Sequence, residues 1–228
     1  MSAQKRAAGR AAADLVTSGQ IVGLGTGSTV FFVLERLAER IRDEGLEVVG
    51  VPTSVDTETK ARDFGIALTT LDEVERFHVT IDGADEIDGG YRMIKGGGGA
   101  LLREKVVASL SDEVITVVGP DKVVERLGTT FDLPVEVVPF ARAACSRRIT
   151  SLGGTPTVRG GEGSPYLTDN GNEILDVHFE EGIEGPAALE RALDEIPGVV
   201  ESGLFVGLSH VLVIGHDDGS ADVRRRDG

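Results

Sequence analysis

The sequence predicts an α/β fold, with a parallel sheet domain joined to a smaller α+β domain. Two observations carry this. Between residues 20 and 119, short apolar runs alternate with helical patterns. Strands separated by helices make βαβ units, and hence a parallel sheet buried on both faces. Beyond about residue 130 the order becomes strand, helix, strand, strand, helix, strand, which is the split βαβ pattern of a ferredoxin-like module. A hydrophobic content of 40% in 228 residues suffices for cores of this size.

The elements follow in order. The opening MSAQKRAAGRAAADLVTSG scatters Lys5, Arg6 and Arg10 among alanines. It reads as an ordinary helix and lacks the compact apolar core of a signal peptide. QIVGLG (20–25) reads as a strand, and STVFFVLERLAERIRDEG (28–45) as a helix ending at a glycine. LEVVGV (46–51) is a strand, and SVDTETKARDFG (54–65) a helix with Ser54 as N-cap and Gly65 as its stop. Strands HVTIDG (78–83) and EVITVVG (113–119) flank the helix ALLREKVVASL (100–110). In the second part, PVEVVPF (134–140), TPTVRG (155–160), EILDVHF (173–179) and VVESGLF (199–205) are strands. ARAACSRRITSLG (141–153) and PAALERALDEIPG (186–198) are its helices. HVLVIG (210–215) is one more apolar strand, stable only in an existing sheet, so it is assigned back to the first domain. The expected domains are residues 1–130 plus 207–228, and residues 131–206. The tail HDDGSADVRRRDG has no apolar face and is expected to fray.

The formal charge is -15, from 38 acidic and 23 basic residues. Such a surface repels nucleic acid and anionic membranes, so neither is an expected partner. No apolar run is long enough for a membrane-spanning helix. Lysine occurs only at positions 5, 60, 95, 105 and 122. An acid-rich, lysine-poor composition suggests adaptation to high salt, where screening weakens self-repulsion. A single cysteine, Cys145, excludes an intrachain disulfide and fits a small buried residue better than a nucleophile. The expected compartment is cytoplasmic.

Three stretches carry chemistry. GLGTGST (23–29) joins a strand to a helix, where bare backbone and helix amides accept an anion and three hydroxyls add donors. A dinucleotide fingerprint would need glycine where Ser28 stands, and a Walker A loop would need Gly-Lys-Ser/Thr, so a small phosphate ester fits better. TIDGADEID (80–88) places Asp82, Asp85, Glu86 and Asp88 at the end of a strand. The spacing is not that of a calcium loop. Asp82 and Asp85 are placed to bind sugar hydroxyls or move protons, whereas Glu86 and Asp88 are expected to be solvated. MIKGGGGALLREK (93–105) sets four glycines between Lys95 and a helix that carries Glu104 in its first turns. A carboxylate and a cation around a polar ligand suit proton abstraction beside a carbonyl. A structural βα turn remains open for the first stretch, and a metal site drawing on distant ligands for the second.

Together GLGTGST, DGADEID, KGGGGALLREK and PGVVESGLF resemble, in order and approximate spacing, the A-type ribose-5-phosphate isomerases, over nearly the whole chain to about residue 218. The resemblance implies a Rossmann-like domain paired with a ferredoxin-like one, a homodimer or homotetramer, and interconversion of the pentose phosphates ribose 5-phosphate and ribulose 5-phosphate with no cofactor and no metal. It implies that Thr26, Gly27, Ser28 and Thr29 bind substrate, chiefly its phosphate, with Lys5 a candidate contributor. Asp82, Gly83, Ala84 and Asp85 would form a second substrate loop, and Lys95, Gly96, Gly97 and Gly98 a third. Glu104 matches the general base, and Lys122 a further substrate-binding lysine. Asp82, Asp85 or Lys95 would open the furanose ring.

Overall fold

The computed structural model describes residues 3–226. The chain forms α1 (Ala3–Asp14), β1 (Ile21–Leu24), α2 (Val30–Glu44), β2 (Val49–Pro52), α3 (Val55–Asp63) and β3 (Phe77–Gly83). It continues with β4 (Glu86–Asp88), β5 (Met93–Ile94), α4 (Leu101–Ser109), β6 (Ser111–Val118), β7 (Val123–Val124) and β8 (Leu133–Val137). There follow α5 (Arg142–Ser151), β9 (Thr155–Val158), β10 (Glu173–His178) and α6 (Pro186–Asp194). The last strands are β11 (Val199–Ser202), β12 (Leu204–Phe205), β13 (Val211–Gly215) and β14 (Ala221–Arg225). Two compact units result. One holds the residues up to Ala84, Arg103–Lys122 and those from Leu208 onward; the other holds Asp85–Leu102 and Val123–Gly207.

The first unit is a six-stranded sheet in the order β14-β13-β6-β3-β1-β2. All neighbours pair in parallel except β14, which runs antiparallel to β13. Alternation along the strands puts Val22, Leu24, Val79, Ile81, Ile115, Val117, Val211 and Val213 into one core. Ala8, Ala12 and Ala13 of α1, and Val30, Val33, Leu34 and Leu37 of α2, close that core. A second cluster joins Val51, Phe77 and Val107 of α4. This is the doubly covered, Rossmann-like sheet that the alternating pattern predicts. α2 ends where Gly45 turns left-handed and its amide bonds back to the Arg40 carbonyl. α3 opens at Ser54, whose Oγ accepts the Thr57 amide at 3.1 Å.

The second unit contains an antiparallel sheet in the order β11-β8-β10-β9. Counted within this module, the strands lie fourth, first, third, second, which is the ferredoxin-like arrangement. α5 and α6 cover it through Cys145, Ile149 and Leu193, packed on Leu133, Val135, Val137, Leu175 and Val177. Cys145 is fully buried, and burial pushes its thiol pKa up, as suits a packing residue. A further four-stranded sheet, β12-β5-β4-β7, is built from strands of two or three residues.

Three expectations are corrected. The tail does not simply fray: Ala221–Arg225 pairs residue for residue with Val211–Gly215. An edge strand needs backbone partners on one side only, and no apolar face. Asp85–Leu102 belongs to the second unit, because β4 and β5 pair with β7 and β12 and not with the large sheet. Glu86 and Asp88 are buried, not solvated.

Candidate active site

In the first unit, the Gly25–Thr29 loop leaves the carboxyl end of β1 and leads into α2. Open α/β sheets bind ligands at that end. Asp82 lies near the end of β3 and is buried. Its Oδ1 accepts the Thr26 amide at 3.1 Å and the Gly83 amide at 2.7 Å. A Cβ on Gly25 would lie 2.2 Å from the Asp82 carboxyl carbon, so only glycine lets the two loops approach this closely. The Thr26 hydroxyl lies 2.8 Å from that of Thr53 and 2.9 Å from that of Ser54. Thr57 Oγ1 donates to the Gly25 carbonyl at 2.7 Å. This hydroxyl cluster anchors the loop from below, leaving Gly27 and Ser28 exposed. Lys5 of α1 donates to Ser28 Oγ at 2.8 Å, so a cation stands beside the amino end of α2. Glu104 is 4% exposed and occupies the first turn of α4, where the helix dipole favours an acid. Lys122 ends a short 3-10 turn, Pro120–Lys122, and is half-buried.

In the second unit, Asp85 and the glycine loop meet. Asp85 Oδ2 accepts the Gly97 amide at 2.7 Å, and a Cβ on Gly97 would fall 2.6 Å from Oδ1. The Asp85 amide in turn donates to the Ile94 carbonyl at 2.8 Å. Lys95 is buried, its amide bonded to the Gly203 carbonyl at 2.9 Å and its Nζ 5.4 Å from the centre of the Phe205 ring. Gly97 and Gly98 are exposed.

The structure therefore joins Thr26 with Asp82 and Gly83, Ser28 with Lys5, and Asp85 with Gly97. Most of the remaining candidates fall where the chain passes from one unit to the other. Ala84 precedes Asp85 at the first passage, Gly98 and Glu104 bracket the second at Leu102–Arg103, and Lys122 stands at the third. Glu86 and Asp88 serve the fold. Glu86 accepts the amides of Gly128, Thr130 and Phe131 and the Thr130 hydroxyl, at 2.5–2.9 Å. Asp88 accepts the amides of Gly90 and Arg92 and pairs with the Arg92 guanidinium. Sequence reasoning missed the supports: Thr53 and Thr57 beneath Thr26, and Arg159 and Tyr166 against the glycine loop. Among the described residues, no three His, Cys, Asp or Glu side chains gather as metal ligands, and no helix is long and apolar enough to cross a membrane.

Comparison with known proteins gives the family and the fold. The family described as ribose 5-phosphate isomerase A (phosphoriboisomerase A) matches residues 49–219. Ribose-5-phosphate isomerase A of Thermosynechococcus vestitus is 49% identical over 224 residues, which span 96% of this chain and 94% of that protein. The structure of ribose 5-phosphate isomerase from Plasmodium falciparum superposes with a TM-score of 0.93 at 38% identity, covering 98% of each chain. A D-ribose-5-phosphate isomerase solved in complex with phospho-erythronic acid superposes with a TM-score of 0.92 at 32% identity, covering 97% of each chain. By sequence over 96% of its length and by fold over 98%, this chain belongs to the ribose 5-phosphate isomerase A family.

Proposed function

We propose that Glu104 is the base that moves a proton between C2 and C1 as the chain interconverts ribose 5-phosphate and ribulose 5-phosphate. The observation that carries this reading is the place of its carboxylate: buried, and in the first turn of the helix that follows the glycine loop. Taking the C2 proton sends that bond's electron pair into a C1–C2 double bond, with negative charge arriving on O1. Returning the proton at C1, while a proton passes from O2 to O1, completes the ketose. Lys95 and the exposed glycine amides would stabilise the 1,2-enediolate between these steps; one such donor is worth roughly 10²–10³ in rate. Asp82, Asp85 or Lys95 would first move the protons that open the furanose. Thr26, Gly27, Ser28 and Thr29 would hold the phosphate with Lys5, whose bond to Ser28 supports its inclusion. Gly83, Ala84, Gly96, Gly97, Gly98 and Lys122 would complete the substrate contacts. No metal and no cofactor enters this scheme.

The phospho-erythronic acid bound by one structural relative supports the chemistry. It is a phosphorylated acid whose planar carboxylate carries delocalised negative charge, as the enediolate does. The test is the Glu104→Gln protein, assayed with a chelator present. The amide keeps the shape and cannot take the proton, so kcat should fall about 10²–10⁴-fold with KM little changed. Solvent deuterium should cease to enter C1 and C2 at the wild-type rate. Exchange and turnover at wild-type rates would move the base elsewhere, with Asp82 and Asp85 next in line; loss of wild-type activity on chelation would overturn the metal-free scheme.

The same reading includes a cytoplasmic homodimer or homotetramer, supported by the family resemblance, and a chain adapted to high salt, supported by its charge of -15.

A further inference from the structure

We propose that Arg159 is a positioning residue for the reaction: it fixes the peptide planes of the Lys95–Gly98 loop so that the Gly98 amide is held out as an oxyanion donor. The proposal rests on the reading of that loop given above. Arg159 follows the last residue of β9, Val158, which packs into the core with α5 and α6. Alternation therefore turns the Arg159 side chain to the opposite face of the sheet. There Nε and Nη2 bind Asp176 with both carboxylate oxygens, at 3.0 and 2.5 Å. This two-point grip sets the plane of the guanidinium. Its remaining nitrogen, Nη1, donates to the Gly96 carbonyl at 2.8 Å and reaches the Gly97 carbonyl at 3.4 Å. The Tyr166 ring lies 5.9 Å from the guanidinium carbon, and its hydroxyl reaches the Gly98 carbonyl at 3.5 Å.

Successive carbonyls of a loop with little steric restraint are thus turned to one side. In a trans peptide the next amide points the opposite way. The Gly97 amide goes to Asp85 and the Gly99 amide to the Gly96 carbonyl, at 2.7 and 2.9 Å. The Gly98 amide, on the peptide whose carbonyl Arg159 reaches, has no acceptor among the described residues, and Gly98 is exposed. Without Arg159, glycine peptides flip at little cost, and the donor is lost without loss of the fold.

The experiment is steady-state kinetics on ribose 5-phosphate, with amide hydrogen exchange, for Arg159→Met, Arg159→Lys, Asp176→Asn and the Arg159→Met/Asp176→Asn double variant. Gly97→Ala serves as the test of the loop itself. For Arg159→Met, kcat per folded molecule should fall about 10- to 100-fold with KM little changed, as for a misaimed donor. Exchange should quicken at Gly97 and Gly99, whose amides are bonded to Asp85 and to the Gly96 carbonyl, and stay unchanged in β8 and β10. Asp176→Asn should move the same way by less, and the double variant should be no worse than Arg159→Met. Arg159→Lys, a cation without the fork, should fall between wild type and Arg159→Met, and its kcat decides the matter if Arg159→Met does not fold. Wild-type kcat in the Arg159 variants, alongside an impaired Gly97→Ala, would overturn the proposal and leave the loop reading standing. Full activity in Gly97→Ala would remove the loop from the reaction, and both readings would fall.

Discussion

The acids between Asp82 and Asp88 organise backbone before they do anything else. Asp82 holds the Thr26 and Gly83 amides and Asp85 the Gly97 amide, whereas Glu86 holds the turn from Gly128 to Phe131. Replacing Glu86 by alanine would strip three amides and a hydroxyl of their acceptor. Water can reach the donors of the exposed Thr130, so the Gly128 and Phe131 amides set the cost; at about 1–3 kcal/mol for each donor left unmatched, the variant should lose about 2–6 kcal/mol and melt about 5–20 °C below wild type. Glu86→Gln, which keeps one acceptor oxygen, should lose less. Thermal unfolding followed by circular dichroism makes the comparison, and a melting point unchanged in Glu86→Ala would mean water replaces the carboxylate without penalty. The loops themselves were legible in the sequence, because glycines and acids at strand ends leave a local mark. The burial of Glu86 was not, since its partners stand 42–45 residues downstream. Arg159 was hidden for the same reason, 63 residues from the carbonyl it holds, at the end of a run that reads only as a strand.

Elements show the same dependence on range. β1, β3 and β6 announce themselves as apolar runs, and Gly45 and Ser54 punctuate the helices where the sequence predicts. β4, β5, β7 and β12 have two or three residues each, too few for a period of two to be seen. β14 leaves no mark in the sequence because ADVRR offers no apolar stripe; Asp218, in the turn before it, accepts the Ser220 amide and hydroxyl at 2.9 and 2.6 Å. β14 covers one edge of β13, every residue of which is buried. A chain ending at Gly215 would bare that edge. Losing a ladder of this length, at about 0.5–1.5 kcal/mol net per hydrogen bond, should lower the melting temperature by about 5–15 °C and promote edge-to-edge association. Light scattering and thermal melts of the shortened chain check both; an unaltered melt would show that β14 adds nothing to the sheet.

At the scale of the whole molecule, the charge of -15 competes with local attraction. Arg10–Glu39 and Arg36–Asp14 pairs tie α1 to α2, and Arg36–Glu44 and Arg40–Glu44 pairs brace α2 itself, all at 2.7–2.9 Å. The hydrogen bond from Arg10 holds the Glu39 carboxyl below its usual range. Exposed pairs of this kind are worth about 0–1 kcal/mol each. Salt weakens both terms, but unequally. The Debye length shrinks from about 10 Å at 0.1 M to about 3 Å at 1 M, so contact pairs are screened little while repulsion between more distant acids is largely removed. The melting temperature should therefore climb from dilute buffer to molar KCl, and a flat or falling curve would reject adaptation to salt. The order of the strands also bears on how the chain is made. β6 and β13 are neighbours, with Ile115 beside Val211, yet every residue from Val123 to Gly207 is placed in the other unit. A ribosome releases the amino-terminal sheet first, but that sheet waits for its last two strands until the inserted unit has emerged and had time to fold. Prior folding of the insert shortens the free loop that β13 must close, and with it the entropy lost on closure. The segment made first is thus completed last.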